Sequence, residues 1–131
     1  MKRLKTGVPH AVKVLNSLDS TDVQGLGKEI RFHEHFAPRG TNVDFISIRS
    51  SSGIDIRTYE RGVEAETLSC GTGSTAGALV AAALKNLRPP VSVRTQSGET
   101  LKIYFSRNGN EFFDVYLEGR VRKTFEGRVS V

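Results

Sequence analysis

The sequence predicts an α+β domain in which a mostly antiparallel β-sheet wraps around one buried central α-helix. Short segments that alternate apolar and polar residues recur along the chain, as expected for strands with one buried face. Residues 76–84, Ala-Gly-Ala-Leu-Val-Ala-Ala-Ala-Leu, have no polar face. A helix of that composition must be surrounded by protein. The intervening gaps are short, which favours one compact unit.

Strand patterns account for most of the chain. Six segments carry them: 10–15, 43–49, 54–59, 91–95, 101–105 and 112–117. The turn between the second and third is Ser-Ser-Ser-Gly, and the last two flank Asn108-Gly109, a strong hairpin signal. We also predict a final strand over 124–131.

Two segments have helical spacing. Residues 21–31 place apolar side chains three to four positions apart, behind candidate N-caps at 20–22. Gly25 and Gly27 weaken this prediction because glycine is a poor helix former. The second helix is predicted over 72–85 and contains the apolar stretch described above.

Composition limits the possible functions. A chain of 131 residues can bury a core as one domain. The net charge is +5, but basic and acidic residues are interleaved through most of the chain, so nucleic acid is not an expected partner. No apolar run reaches the roughly 18 residues that span a bilayer, and no apolar signal core follows the basic start. We therefore expect a cytoplasmic protein with no membrane association.

Metal binding is not expected either. The single cysteine excludes an internal disulfide and a zinc or iron–sulfur site built from several cysteines of this chain. His33 and His35 have His-x-His spacing, but no third ligand accompanies them.

Cys70 lies immediately before the apolar helix, in the sequence Cys-Gly-Thr-Gly. The first N–H groups of a helix point outward and carry partial positive charge, which favours a thiolate and can hold a carboxylate. Other interpretations remain open. A lone cysteine is often a small buried apolar residue, and Gly-Thr-Gly-Ser can simply cap a helix. A dinucleotide loop is disfavoured, because Gly77 is one residue out of register and no strand leads directly into the glycines.

The segment 57–74, Arg-Thr-Tyr-Glu-Arg-Gly-Val-Glu-Ala-Glu-Thr-Leu-Ser-Cys-Gly-Thr-Gly-Ser, resembles the second-half signature of the diaminopimelate epimerase family. Cys-Gly-Thr-Gly alone is similar to the related proline racemases, whereas the preceding Tyr-Glu-Arg-Gly favours the diaminopimelate branch. Four further motifs agree in order: Thr6-Gly-Val-Pro-His10, Phe36-Ala-Pro-Arg-Gly-Thr-Asn42-Val-Asp-Phe45, Val93-Arg-Thr-Gln-Ser-Gly-Glu99 and Val115-Tyr-Leu-Glu-Gly119.

The resemblance implies a cofactor-independent isomerase that interconverts LL- and meso-diaminopimelate, in lysine and cell-wall precursor biosynthesis. Cys70 is then one of two catalytic cysteines that remove and return the α-proton from opposite faces. The same resemblance implies that His10 and Glu60 assist this acid–base exchange.

Substrate contacts are also implied by the resemblance. They are Asn42, Glu60, Arg61 and, through the backbone at the helix start, Gly71 and Thr72. A guanidinium suits bidentate binding of a distal carboxylate. Many family members have Asn between the glycine and proline of the Gly-x-Pro-His motif, where this chain has Val8, so Val8 is not predicted to contact substrate.

The family's other half, which carries the partner cysteine, is not part of this sequence. We therefore expect residues 1–131 to correspond to a C-terminal half that is inactive without its N-terminal partner. We expect 124–131 to pair with that partner, and the strand that precedes Gly-x-Pro-His to be absent. Exposed edges then predict self-association of the isolated chain. Two alternatives remain: a racemase or epimerase of another amino acid, and a non-catalytic amino-acid-binding module of the same fold.

Overall fold

A computed structural model describes residues 1–5 and 7–131; Thr6, with which the first matched motif begins, lies outside the described residues. Eight strands and two α-helices are present in this part of the chain. They are β1 (Lys2–Lys5), β2 (Pro9–Val14), α1 (Val23–Arg31), β3 (Asn42–Ser50), β4 (Gly53–Glu60), β5 (Ala65–Thr67), α2 (Gly71–Lys85), β6 (Val91–Arg94), β7 (Thr100–Asn108) and β8 (Glu111–Glu118), with a short 3-10 helix at Glu34–Phe36.

The strands form one sheet in the order β1-β2-β3-β4-β6-β7-β8, and β5 pairs with β4. β2 pairs with β3, and β4 with β6, in parallel, while the other pairs are antiparallel. Helix α2 packs inside the curled sheet and contacts both of its edge strands. The predicted fold class is therefore confirmed. Neither α-helix of the described part is long and apolar enough to cross a membrane.

Helix α2 approaches the sheet closely because its contact face consists of small residues. A Cβ added at Gly77 would lie 3.0 Å from Ile46 Cγ2 and 3.3 Å from Ile54 Cδ1, so glycine keeps the helix at this distance. The helix is buried from Ala76 through Ala82, but Ala83 and Leu84 are exposed. The prediction that all of 76–84 is enclosed is therefore wrong for its last two residues, because the two edge strands leave the end of the helix uncovered.

Helix α1 covers the opposite face of the sheet. Its Val23 packs in a second apolar cluster with Phe45 and Tyr59. A Cβ added at Gly27 would lie 2.5 Å from Tyr59 Cβ. The glycine that weakened the helix prediction thus allows the helix to pack directly against a large side chain.

The ends of the chain differ from the sequence-based expectations. A strand does precede the Gly-x-Pro-His motif, because β1 pairs with β2 in antiparallel register. Its sequence, Lys-Arg-Leu-Lys, is too short and too polar for periodicity to indicate it. Conversely, 119–131 contains no strand, so the prediction of a strand over 124–131 is wrong for the structure of this chain. An isolated extended segment has no ladder to join unless a neighbouring strand is present.

Candidate active site

Strand alternation places a row of polar side chains beneath the start of α2. On β3, Asp44 shares a face with Ile46, which packs in the α2 core. The register pairs Asp44 with Thr58 of β4 and His10 of β2 with Asn42 of β3. His10, Asp44 and Thr58 therefore lie on the concave side of the sheet, where the N-terminus of α2 meets it.

Cys70 is the N-cap of α2, with extended backbone angles of φ −140° and ψ 112°. Its Sγ atom accepts a hydrogen bond from the backbone N–H of Gly73 at 3.4 Å, and its carbonyl oxygen accepts from Ser74 N–H at 2.8 Å. The side chain is partly exposed. The sulfur thus takes the place that a serine or aspartate oxygen occupies at most helix starts.

A continuous series of polar contacts leads from the sulfur into the core. Cys70 Sγ lies 3.5 Å from Thr72 Oγ1, which lies 3.0 Å from His10 Nε2. The other ring nitrogen, Nδ1, lies 2.7 Å from Asp44 Oδ2. Asp44 Oδ1 accepts a hydrogen bond from the Thr58 hydroxyl at 2.8 Å.

The inner part of this series is fully enclosed. His10 and Asp44 both have side chains with 0% exposure. Gly73 makes room for the carboxylate, since a Cβ at that position would lie 2.5 Å from Asp44 Oδ1. Thr72 lies at the surface, and its hydroxyl lies between the buried His10 ring and the partly exposed Cys70 thiol.

Asn42 fixes the backbone on either side of this site. Its side-chain amide donates to Pro9 O at 3.3 Å, and its Oδ1 accepts from the Arg61 N–H at 2.7 Å. Only 5% of the residue is exposed. Asn42 therefore holds the Gly-x-Pro-His segment and the turn after β4 together.

Arg61 lines an open cavity of about 360 Å³ together with Arg3, Lys5, Arg39 and Val8. Its guanidinium donates to the Arg39 carbonyl at 3.4 Å. The other side chains of the cavity wall include Pro9 and Phe36. A cavity with four basic side chains can accept an anionic group of a ligand.

Glu60 is the last residue of β4 and is partly buried. By strand alternation it faces the same side of the sheet as Thr58. Within the described part of the chain, its carboxylate makes no hydrogen bond or ion pair with Cys70 or His10. The structure thus brings His10, Thr72 and Cys70 into contact and places Asn42, Glu60 and Arg61 at the adjoining strand ends.

Asp44 is the site residue that sequence reasoning missed. It lies within the quoted motif at 36–45, but motif resemblance gave it no role. A usable signal did exist: Asp44 occupies an inward-facing position of a strand whose next inward residues are isoleucines. An acidic residue at such a position is buried and therefore needs partners.

His33 lies elsewhere, and its Nδ1 accepts from the His35 backbone N–H at 3.0 Å as it caps the 3-10 helix. No group of three or more potential metal-ligating side chains is found among the described residues.

Residues 3–124 match the family model described as diaminopimelate epimerase. The chain belongs to the diaminopimelate epimerase family. Sequences named diaminopimelate epimerase are 52% identical in Aquifex aeolicus over 129 residues and 45% identical in a Hydrogenobaculum species over 133 residues. A third, from Chlorobaculum tepidum, is 44% identical over 128 residues.

These alignments cover 96–97% of this chain but only 45–48% of the three relatives. The chain therefore spans about half the length of the curated diaminopimelate epimerases that it matches.

Solved structures give the same fold. One is a putative phenazine biosynthesis PhzC/PhzF protein from Clostridium difficile, with a TM-score of 0.56 and 22% identity over 78% of this chain and 35% of that one. A PhzF-family protein from Bacillus anthracis has a TM-score of 0.52 and 20% identity, over 79% of this chain and 32% of that one. At this identity the similarity concerns the fold alone, which is consistent with the predicted diaminopimelate epimerase-like architecture.

Proposed function

We propose that this chain supplies one half of the active site of a cofactor-independent diaminopimelate epimerase, with Cys70 as one of its two acid/base groups. The observation that carries this proposal is the position of Cys70 Sγ. It lies at the start of α2, accepts the Gly73 N–H, and contacts Thr72, whose hydroxyl contacts His10. Membership of the family supports the choice of diaminopimelate as substrate.

Inversion at the α-carbon needs two groups, because a single base would return the proton to the face from which it came. In the proposed reaction one thiolate takes the α-proton and becomes a thiol. The C–H electron pair is delocalised into the neighbouring carboxylate, and the second thiol donates its proton to the opposite face. Cys70 acts as base in one direction and as acid in the other.

The α-proton of an amino acid is only very weakly acidic, so the developing charge on the carboxylate must be stabilised. We assign this to the backbone N–H groups of Gly71 and Thr72 at the positive end of α2. His10 and Glu60 assist the exchange of protons at the two sulfurs. His10 is placed to act on Cys70, because Thr72 bridges the two side chains.

We assign the distal end of the substrate to Arg61, with Asn42 and Glu60 beside it. The cavity that Arg61 shares with Arg39 suits a carboxylate. In this assignment Asn42 also acts through the backbone, since it binds the Arg61 N–H directly.

The proposed partner is an N-terminal half that carries the second cysteine. Two observations support it: one cysteine is present here, and the chain spans about half of its relatives. We further propose that 124–131 forms a strand only when it pairs with that half. The exposed Phe125 and Val129 would then be covered.

The test is an assay of LL- and meso-diaminopimelate interconversion by this chain alone and by this chain mixed with the complementary N-terminal half of the Aquifex aeolicus relative. We expect no interconversion by the chain alone, activity in the mixture, and loss of that activity in Cys70→Ala. Interconversion in both directions by the chain alone would contradict the proposal.

Two other outcomes lead to different functions. Exchange of the α-proton of another amino acid, with none for diaminopimelate, would identify a racemase or epimerase of different specificity. Binding of diaminopimelate without any exchange in the mixture would identify a non-catalytic binding module.

A further inference from the structure

We propose that Asp44 is a positioning residue that orients His10 so that the imidazole receives the Cys70 proton through the Thr72 hydroxyl. Its role in turnover rests on the proposed function, but its test does not need the substrate. The buried Asp44 carboxylate and the bridging Thr72 hydroxyl thus act on the Cys70 sulfur together with His10.

Asp44 selects the tautomer of His10. A carboxylate only accepts hydrogen bonds, and here one oxygen accepts from Thr58 while the other lies 2.7 Å from His10 Nδ1. The Nδ1 atom must therefore carry the hydrogen in this contact. The neutral ring then presents an unprotonated Nε2, which is an acceptor.

The Nε2 acceptor in turn orients Thr72. At 3.0 Å, the Thr72 hydroxyl donates its hydrogen to Nε2. A hydroxyl oxygen also accepts hydrogen bonds, so the Thr72 oxygen can receive the Cys70 S–H across 3.5 Å. The hydrogen bonds of the whole series thus run from the sulfur to the carboxylate.

The proton transfer along this series is balanced. The S–H bond of Cys70 breaks as its proton forms a new O–H bond on Thr72, and the former Thr72 proton forms an N–H bond on His10 Nε2. The products are a thiolate and an imidazolium. The carboxylate of Asp44 faces the imidazolium, and the Gly73 N–H faces the thiolate. The reverse transfer regenerates the thiol.

Burial of the Asp44 carboxylate costs folding free energy, which indicates that the carboxylate has a role other than stability. Asp44 and His10 are both fully buried, and an enclosed carboxylate carries a large desolvation cost that one neutral ring and one hydroxyl only partly offset. The neighbouring core side chains are isoleucines and valines, and an apolar side chain at position 44 would avoid that desolvation cost. The fold instead holds a carboxylate here and a glycine above it at position 73.

The test uses the thiol itself. Because the chain has one cysteine, labelling with iodoacetamide reports on Cys70 alone. In Asp44→Asn, the amide oxygen accepts from Thr58 and the NH2 group faces Nδ1. His10 then carries its hydrogen on Nε2, and the direction of the hydrogen bonds along the series is reversed. We expect labelling near neutral pH to be slower by at least about tenfold.

The pH profile separates positioning from general loosening. At about pH 10, where an ordinary free thiol is ionised, the labelling rates of Asp44→Asn and the unaltered chain should converge. Among the described residues, the side chains within hydrogen-bond distance of the His10 ring are Asp44 of β3 and Thr72 of α2. A local loosening would instead raise the labelling rate at every pH.

Three further variants keep the test decisive. Thr72 lies at the surface, so Thr72→Val changes no core packing. It should slow labelling as much as Asp44→Asn, whereas the rate of Thr72→Ser should lie within about twofold of that of the unaltered chain. Thr58→Val removes a partner of the carboxylate but keeps its charge, so it should lower the melting temperature while leaving the labelling rate near that of the unaltered chain.

Undiminished labelling at neutral pH in Asp44→Asn or in Thr72→Val would overturn the proposal, as would a Thr58→Val rate as slow as that of Asp44→Asn. Failure of the mixed halves to interconvert diaminopimelate, with the labelling results as expected, would overturn the proposed function and leave the positioning role of Asp44 standing.

Discussion

Single residues of this chain determine where charge is placed under the start of α2. Cys70 replaces the usual N-cap oxygen with sulfur, and Gly73 leaves the space that Asp44 occupies. The cysteine and glycine could be identified from the sequence, since both belong to the matched motif. Asp44 could not, because its partner His10 lies 34 residues away on β2 and the register between β2 and β3 is decided only by folding.

Gly73→Ala should destabilise the chain because the added methyl group would lie 2.5 Å from Asp44 Oδ1, a fixed buried atom. We expect a loss of about 1–3 kcal/mol in the free energy of unfolding, measured by urea denaturation. Gly71→Ala is the matched control. Its methyl group would meet Leu117 Cδ1 at an ordinary 3.4 Å. Equal stability of the Gly73→Ala and Gly71→Ala variants would contradict the placement of Asp44.

The buried Tyr59 phenol should make the free energy of unfolding fall at alkaline pH. Burial, with the nearby Glu64, raises the pKa of Tyr59 above its ordinary value near 10. A raised pKa means that the neutral phenol contributes stability below about pH 10, and that this contribution is lost as the pH rises through the folded-state value. Tyr59→Phe should therefore lose less stability than the unaltered chain between about pH 9 and pH 11, by urea denaturation. An identical loss in both proteins would contradict this prediction.

Helices and strands with a clear sequence pattern could be predicted. Short strands that form only by pairing with a neighbouring strand could not. Helix α2 and the hairpin of β7 and β8 follow from the apolar run and from Asn108-Gly109. β1 and β5 have three or four residues each, so they carry too little periodicity, and they form because β2 and β4 offer free edges. Residues 124–131 have a strand-like sequence pattern, but they form no strand because no neighbouring strand is available to pair with them.

An ion pair between Arg57 and Glu66 joins β4 to β5. Arg57 binds both carboxylate oxygens of Glu66 at 2.7 and 2.8 Å, which raises the pKa of Arg57, and it also donates to the Leu18 carbonyl. Glu66→Gln should lower the free energy of unfolding by about 1–2 kcal/mol, measured by urea denaturation.

The matched control for Glu66→Gln is Glu126→Gln. It breaks the exposed Lys123–Glu126 pair of the C-terminal segment and should leave the unfolding midpoint unchanged. If the two variants were equally stable, the Arg57–Glu66 pair would have no structural role.

At the scale of the whole molecule, the chain folds into one sheet around one helix but leaves apolar surface uncovered. The exposed residues are concentrated on β8 and in the C-terminal segment, where Val121, Phe125 and Val129 are each more than four-fifths exposed. The sequence predicts a second half, because the matched motifs contain one cysteine where the proposed chemistry needs two. It could not predict how the surface toward that half is shaped.

We expect the isolated chain to associate with itself through this uncovered surface. Light scattering should show a mass that rises with concentration, and removal of residues 120–131 should reduce the rise. A strictly monomeric chain at high concentration would contradict this prediction. Addition of the complementary N-terminal half should also suppress the self-association, because both partners compete for the same surface.

In the proposed reaction Cys70 removes the α-proton of one isomer and donates a proton to the α-carbon in the reverse direction. Mass spectrometry in heavy water measures this directly, as deuterium gained at the α-carbon of LL- and of meso-diaminopimelate by the mixed halves. We expect uptake in both isomers with Cys70 present. In Cys70→Ala we expect a fall of at least about a hundredfold in uptake by the isomer whose α-proton Cys70 removes, because the remaining cysteine reaches only the opposite face. Undiminished deuterium uptake by both isomers in Cys70→Ala would contradict this role.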